Sequence, residues 1–185
     1  MTAETERPQS ERRQALIAAA FALIADKGFE GLRLRDVATA AGIDHSTLHH
    51  HFATKQDLVD AVVGYAVQQF RSGRALDAPP ETLHLHLENL ARLTRQRPQL
   101  LVVMRELDLR ATRDPAVQAI MERHEAGWRT ALARRLEPLG IEGRALDDSV
   151  ELVIATVKGV SLKPAATAAV FSRLERLLSD KGQSS

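Results

Sequence analysis

The chain contains no cysteine. Disulfides, zinc–thiolate centres and cysteine nucleophiles are therefore excluded. Aromatic residues make up only 4% of the 185 residues. No segment alternates apolar and polar residues for long, so strand signals are nearly absent. Charges interrupt every apolar stretch, which leaves no run long enough to cross a membrane. The first residues, MTAETERPQSERR, lack the apolar core of a secretory signal. A cytoplasmic protein with no membrane partner is the expectation. An excess of one charge is missing too: 25 Lys and Arg stand against 24 Asp and Glu, a formal net charge of +1. Domains that simply coat phosphate are strongly basic. Any binding of nucleic acid must therefore rest on charge placed locally and on a fitted surface. No glycine-rich phosphate loop, Ser-His-Asp set or paired carboxylate constellation stands out, so neither an enzyme nor a cofactor is expected.

What is present is helix former: Ala, Leu, Arg and Glu abound. The pattern predicts an all-α fold of about nine helices. Residues 1–9 read as a disordered tail. A first helix from about Ser10 to Lys27 carries Ile17, Ala20, Phe21 and Ile24 at helical spacing, and Gly28 ends it. Two short helices follow, about Leu34 to Ala41 and His45 to His51, then a fourth from about Lys55 to Phe70. The stretch SGRALDAPP, residues 72–80, breaks the pattern as a link. Beyond it come helices over about 81–97, 99–111, 115–136, 146–162 and from Pro164 to about Ser179. Asp114-Pro115 supplies a cap and a first-turn proline. The organisation expected is a head over 10–54 and a body over 55–185.

Residues 34–52, LRDVATAAGIDHSTLHHHF, read as a helix-turn-helix. Val37, Ala38 and Ala41 give the first helix an apolar face, and small Ala38 lets the second helix cross closely. Gly42 suits a turn that needs positive φ. Ile43 and Leu48 pack inward, and Asp44 is placed to cap the second helix. His45, Ser46, Thr47, His49 and His50 remain outward, a hydrogen-bonding face suited to a DNA major groove. The imidazoles of His45 and His49 are one turn apart, but zinc sites need three or four protein ligands, so no metal is expected.

The block around this motif resembles the tetracycline-repressor family of bacterial regulators. The likeness covers about residues 11–65 and rests on Ala20 and Gly28 in the first helix, then DVATAAGI, TLHHHF and TKQDLVDAV. It implies a homodimeric transcriptional repressor that binds a palindromic double-stranded operator and is released by a small-molecule effector. Carried over by position, it implies that Arg35 reaches base edges and phosphates, that His45, Ser46 and Thr47 open the recognition helix, and that Lys55 meets a phosphate. His50 stays on the outward face of that helix. His51 stands where the family has His or Tyr. Two departures stand out. His49 replaces a phosphate-bonding tyrosine, which makes that contact sensitive to pH near neutrality. Arg33 replaces a capping Thr or Ser and is expected to meet a phosphate itself.

For the body, the resemblance implies an effector pocket among the middle helices, about residues 65–136. Phe70, Met104, Arg105, Met121 and Trp128 are residues of the right type for its lining, and ordinary core packing is the competing explanation for each. The last two helices imply a dimer interface, with Val153, Val157, Val160, Val170, Leu174 and Leu177 as candidates; burial against their own body is the alternative. His84, His86 and His124 read as solvated or core-edge histidines. Two other functions stay open: a DNA-binding regulator controlled by a protein partner, and a helical interaction protein or enzyme with a vestigial head.

Overall fold

The computed structural model describes the backbone of residues 3–73 and 82–182, with side chains for 9–70 and 82–180. Among the described residues there are nine α-helices, two short 3-10 turns and no strand. In chain order the helices are α1 (Ala3–Lys27), α2 (Leu34–Ala41), α3 (His45–His51), α4 (Lys55–Gly73), α5 (Leu83–Gln96), α6 (Pro98–Ala111), α7 (Pro115–Leu136), α8 (Gly143–Val160) and α9 (Thr167–Gly182).

Local signals set most of these boundaries. Gly28 adopts φ +68° and its N–H closes α1 on the Ile24 carbonyl at 2.9 Å. Asp114 Oδ1 accepts from the backbone N–H groups of Ala116 and Val117 at 3.1 and 3.4 Å, so it caps α7 with Pro115 in the first turn, as expected. Thr82 Oγ1 accepts from Leu85 N–H at 3.3 Å at the start of α5. One boundary differs. α1 begins at Ala3, so from residue 3 onward the tail expected over residues 1–9 gives way to helix; Glu, Arg and Gln are good helix formers and carry it through Pro8. Most of the link expected over 72–80 lies outside the described residues.

The chain packs as two compact units. The first takes the described residues up to Gln68 together with Val102–Ile120. Its core joins Leu16, Ile17, Ala20 and Ile24 of α1 to Val37 and Ala38 of α2, Leu48 of α3, Leu58 and Val62 of α4, and Val103 and Leu107 of α6. Every one of these is a full apolar side chain withdrawn from water, worth about 1.5–3 kcal/mol for the larger ones. The second unit takes Gln69–Leu101 and the described residues from Met121 onward. Its core is built from Leu87, Leu90 and Leu93 of α5, Leu132 and Leu136 of α7, Val153, Ile154 and Val157 of α8, and Phe171, Leu174 and Leu178 of α9. An ion-pair network ties α7 to α8 there: Glu125 accepts from Lys158 and from Arg129, and Arg129 also reaches Glu151. Burial pushes the Glu125 carboxyl up, but the hydrogen bond and charge of Lys158, then those of Arg129, outweigh it and hold the group below the usual carboxylate range. α4, α6 and α7 each carry residues of both units.

Candidate nucleic-acid interface

α2 ends in a Schellman turn. Gly42 sits at φ +66°, its N–H donates to the Thr39 carbonyl at 3.1 Å, and the Ile43 N–H reaches back to the Ala38 carbonyl at 2.9 Å. That turn sends the chain directly into α3. Val37 and Ala38 are buried on one side and Leu48 on the other, so three small or compact apolar residues hold the two helices together. Asp44 stands at the start of α3 in extended conformation (φ −63°, ψ 143°), and its carbonyl accepts from Leu48 N–H at 3.0 Å. Its carboxylate makes no capping hydrogen bond, contrary to the expectation from sequence. It stays in solvent, where its charge still lies at the positive end of the helix. Arg33 likewise leaves α2 without a side-chain cap, since a guanidinium has no acceptor.

With Leu48 anchored inward, α3 turns its polar residues out. His45, Ser46, His49 and His50 are exposed, and Thr47 and His51 half-buried. His45 and His49 pack edge to face, ring centroids 4.7 Å apart at 77°. Arg33, Arg35 and Lys55 are exposed as well. Among the described residues no group of three or more His, Asp or Glu is arranged to hold a metal ion.

Two features of this surface escaped the sequence reading. Thr54 and Asp57 form a reciprocal capping box: Thr54 N–H donates to Asp57 Oδ2 at 2.8 Å, and Asp57 N–H to Thr54 Oγ1 at 3.1 Å. The box fixes the start of α4 and leaves the amides of Lys55 and Gln56 at the positive end of the helix beside the Lys55 ammonium, a setting that favours an anion. The signal was present as Thr-x-x-Asp. Arg13 of α1 lies over the Phe52 ring, 5.0 Å from its centroid; that pair is far apart in sequence and has no local signature.

The other expected site residues are placed as follows. Phe70 and Trp128 meet in the second unit, centroids 5.9 Å apart, and His124 completes the cluster 5.7 Å from Phe70. Met121, buried, shares the α7 face of His124 and Trp128 at spacing i, i+3, i+7. Met104, buried, and Arg105, half-buried, belong to the α6 segment of the first unit. His86 and His124 are buried rather than solvated. The dimer candidates need correction. Val153, Val157, Val160 and Leu174 are buried in the chain's own core, because that stripe of α8 and α9 faces inward. Only Leu177, 41% exposed, and half-buried Val170 remain outward. The outward stripe of α8 is instead Leu152, Ala155 and Gly159, with Leu152 42% exposed, and Leu162 in the turn beyond α8 is 65% exposed.

Comparison with known sequences decides the family. The family model for bacterial regulatory proteins, tetR family, matches residues 16–62, the stretch from the core of α1 to α4. The regulator CymR of Pseudomonas putida is 27% identical over 187 residues, spanning 85% of this chain and 83% of that protein. The head of this chain is of the tetR family, and along most of its length the chain is similar to regulators of that family. It is a DNA-binding transcriptional regulator and not an enzyme. The repressor KstR2 of Rhodococcus jostii (strain RHA1) is 40% identical over 55 residues, covering 30% of this chain and 27% of that one. Along the whole fold, the regulator is similar to the multidrug binding protein EbrR, solved in complex with imidazole, with TM-score 0.65, 25% identity, and 88% and 94% of the two chains covered. Among the described residues no helix is long and apolar enough to cross a membrane.

Proposed function

We propose that this TetR-family regulator is a cytoplasmic repressor that binds a palindromic operator as a homodimer and is released by a small molecule held in its second unit. The observation that carries the proposal is the outward stripe of Leu152, Ala155 and Gly159 on α8, continued by Leu162 in the turn beyond it and by Val170 and Leu177 on α9. Large exposed leucines clustered on two terminal helices cost solvation unless covered. Small Ala155 and Gly159 between them allow close approach, which fits an isologous four-helix contact between two copies. A dimer presents two copies of α3, and recognition helices ~34–36 Å apart enter successive major grooves of one DNA face.

Arg35 and the opening residues of α3, His45, Ser46 and Thr47, then read base edges, while Lys55, His49 and Arg33 hold phosphates. His50 and His51 flank that surface. The likeness of the head to KstR2, a repressor by name, supports the sign of regulation. The whole-length likeness to EbrR, which binds small molecules, supports an effector. In the second unit, Phe70, His124 and Trp128 with Met121 offer an apolar, aromatic lining. An effector that prefers one conformation of the body lowers operator affinity by its differential binding to the two states.

The test is selection of bound duplexes from a random pool, then titration of the winner with the wild-type chain and with Leu152→Glu. A palindromic site, bound by the wild type as a dimer and lost by a monomeric Leu152→Glu, is the expected result. Asymmetric sites bound equally by both proteins would sink the homodimer.

A further inference from the structure

A cavity of about 520 Å³ in the first unit has no part in the reading above. It falls within the ~300–1,000 Å³ of small-molecule sites. One wall is the turn after α1, with Gly28 and the ring of Phe29; the other is a single face of α6 and the turn beyond it. That face presents Glu106, Leu109, Arg110 and Arg113 at i, i+3, i+4 and i+7.

The charges on this face are unequal in their commitments. Arg110 is engaged: it pairs with Asp114 at 3.0 Å, donates to Gln56 Oε1 at 3.3 Å and lies over Phe29, 5.3 Å from the centroid. Its Nε is buried without a hydrogen-bond partner. Glu106 is half-buried, its Oε2 only 3.1 Å from where a Cβ on Gly28 would stand, at the negative end of α1. Among the described residues neither Glu106 nor exposed Arg113 has an ion-pair or hydrogen-bond partner for its side chain. On the opposite wall Lys27 and Glu30 offset each other in charge. The face therefore ends in an unmet carboxylate on one side and an unmet guanidinium on the other. Between them lies Leu109, 55% exposed, with the Phe29 ring across from it.

From Glu106, five residues of α6 and the two-residue turn beyond Ala111, which the Asp114 N–H keeps helical in path by donating to the Arg110 carbonyl at 3.0 Å, place Arg113 about 10 Å further along the backbone. A ligand that meets both must carry an ammonium and a carboxylate at about that spacing, with an apolar middle. An extended peptide advances about 3.3–3.6 Å per residue, so three residues span the distance. We propose that this cleft binds a short zwitterionic peptide of about three residues. Its N-terminal ammonium meets Glu106, its C-terminal carboxylate meets Arg113, and a central apolar side chain rests on Leu109. This site is chemically distinct from the aromatic cluster of the second unit.

The test is calorimetric titration of the full chain, without DNA, with alanyl-leucyl-alanine, its N-acetyl form and its C-terminal amide. Each blocked form is expected to bind about tenfold or more weakly, the fold-change of one charge-assisted hydrogen bond. In Arg113→Ala the free acid and the amide should become equal, and in Glu106→Gln the free amine and the acetylated form should. Arg113→Lys should keep part of the preference for the acid. Absence of heat at millimolar peptide, or blocked-end penalties unchanged in both variants, would overturn the proposal. Operator binding is not read in this titration, so its failure leaves the repressor reading standing.

Discussion

Replacing glycine by alanine at three positions should give different outcomes for stated reasons. Gly42 holds φ +66°, and a Cβ built on it meets nothing within 4 Å. The cost of Gly42→Ala is therefore backbone strain alone, about 1–2 kcal/mol for a left-handed residue. The stiffer unfolded chain returns about 0.4–1 kcal/mol, which leaves a net loss near 1 kcal/mol. Gly64 sits inside α4 with equally open space and ordinary helical backbone. Gly64→Ala should therefore stabilise by about 0.5–1 kcal/mol. Gly28 shares the left-handed backbone at φ +68° but faces the Glu106 carboxylate at 3.1 Å, so Gly28→Ala should cost at least as much as Gly42→Ala and displace Glu106. Trp128 is the only tryptophan and belongs to the second unit, so urea unfolding should be followed by far-UV circular dichroism rather than fluorescence. The midpoints should fall for Gly42→Ala and Gly28→Ala and rise for Gly64→Ala, with unchanged slopes. A Gly42→Ala variant as stable as Gly64→Ala would refute the Schellman geometry that aims α3.

Other expectations follow from the same packing. Leu48→Ala leaves a cavity beneath α3 and should cost about 2–5 kcal/mol, read as lost protection of head amides in hydrogen exchange. Thr54→Ala removes the hydroxyl that accepts from Asp57 N–H and should cost about 1 kcal/mol; unchanged stability would show that this hydrogen bond does not form in solution. Lys55→Ala should weaken operator binding and lower the salt slope by about 0.9, the share of one phosphate contact; an unchanged slope would remove Lys55 from the interface. Glu125 is held below the usual carboxylate range, so its contribution is present above that range and is lost as pH falls through its depressed pKa. Glu125→Gln should accordingly flatten the acid limb of stability against pH, and an unaltered limb would assign the loss to other groups.

Much of the head was legible in the chain because its signals are local. Gly42 marks a turn that only a left-handed residue closes, and the apolar pair Val37 and Ala38 with Leu48 sets which faces meet. α2 and α3 accordingly begin and end where the sequence places them. Asp114-Pro115 marks the start of α7 for the same reason. The outward residues of α3 follow from the position of Leu48 alone. Tertiary structure decided the rest. α8 carries two apolar stripes, Val150, Val153, Val157 and Val160 on one and Leu152, Ala155 and Gly159 on the other. Periodicity in such a helix does not say which stripe its own core will take, so the inward valines and the outward leucines are equally legible as an interface until the packing is known. The burial of His86 and His124, the cluster of Phe70 with Trp128, and the approach of Glu106 to Gly28 each join residues from separate helices. Spacing along one helix holds no information about those meetings, because they depend on how helices pack and not on how each one forms.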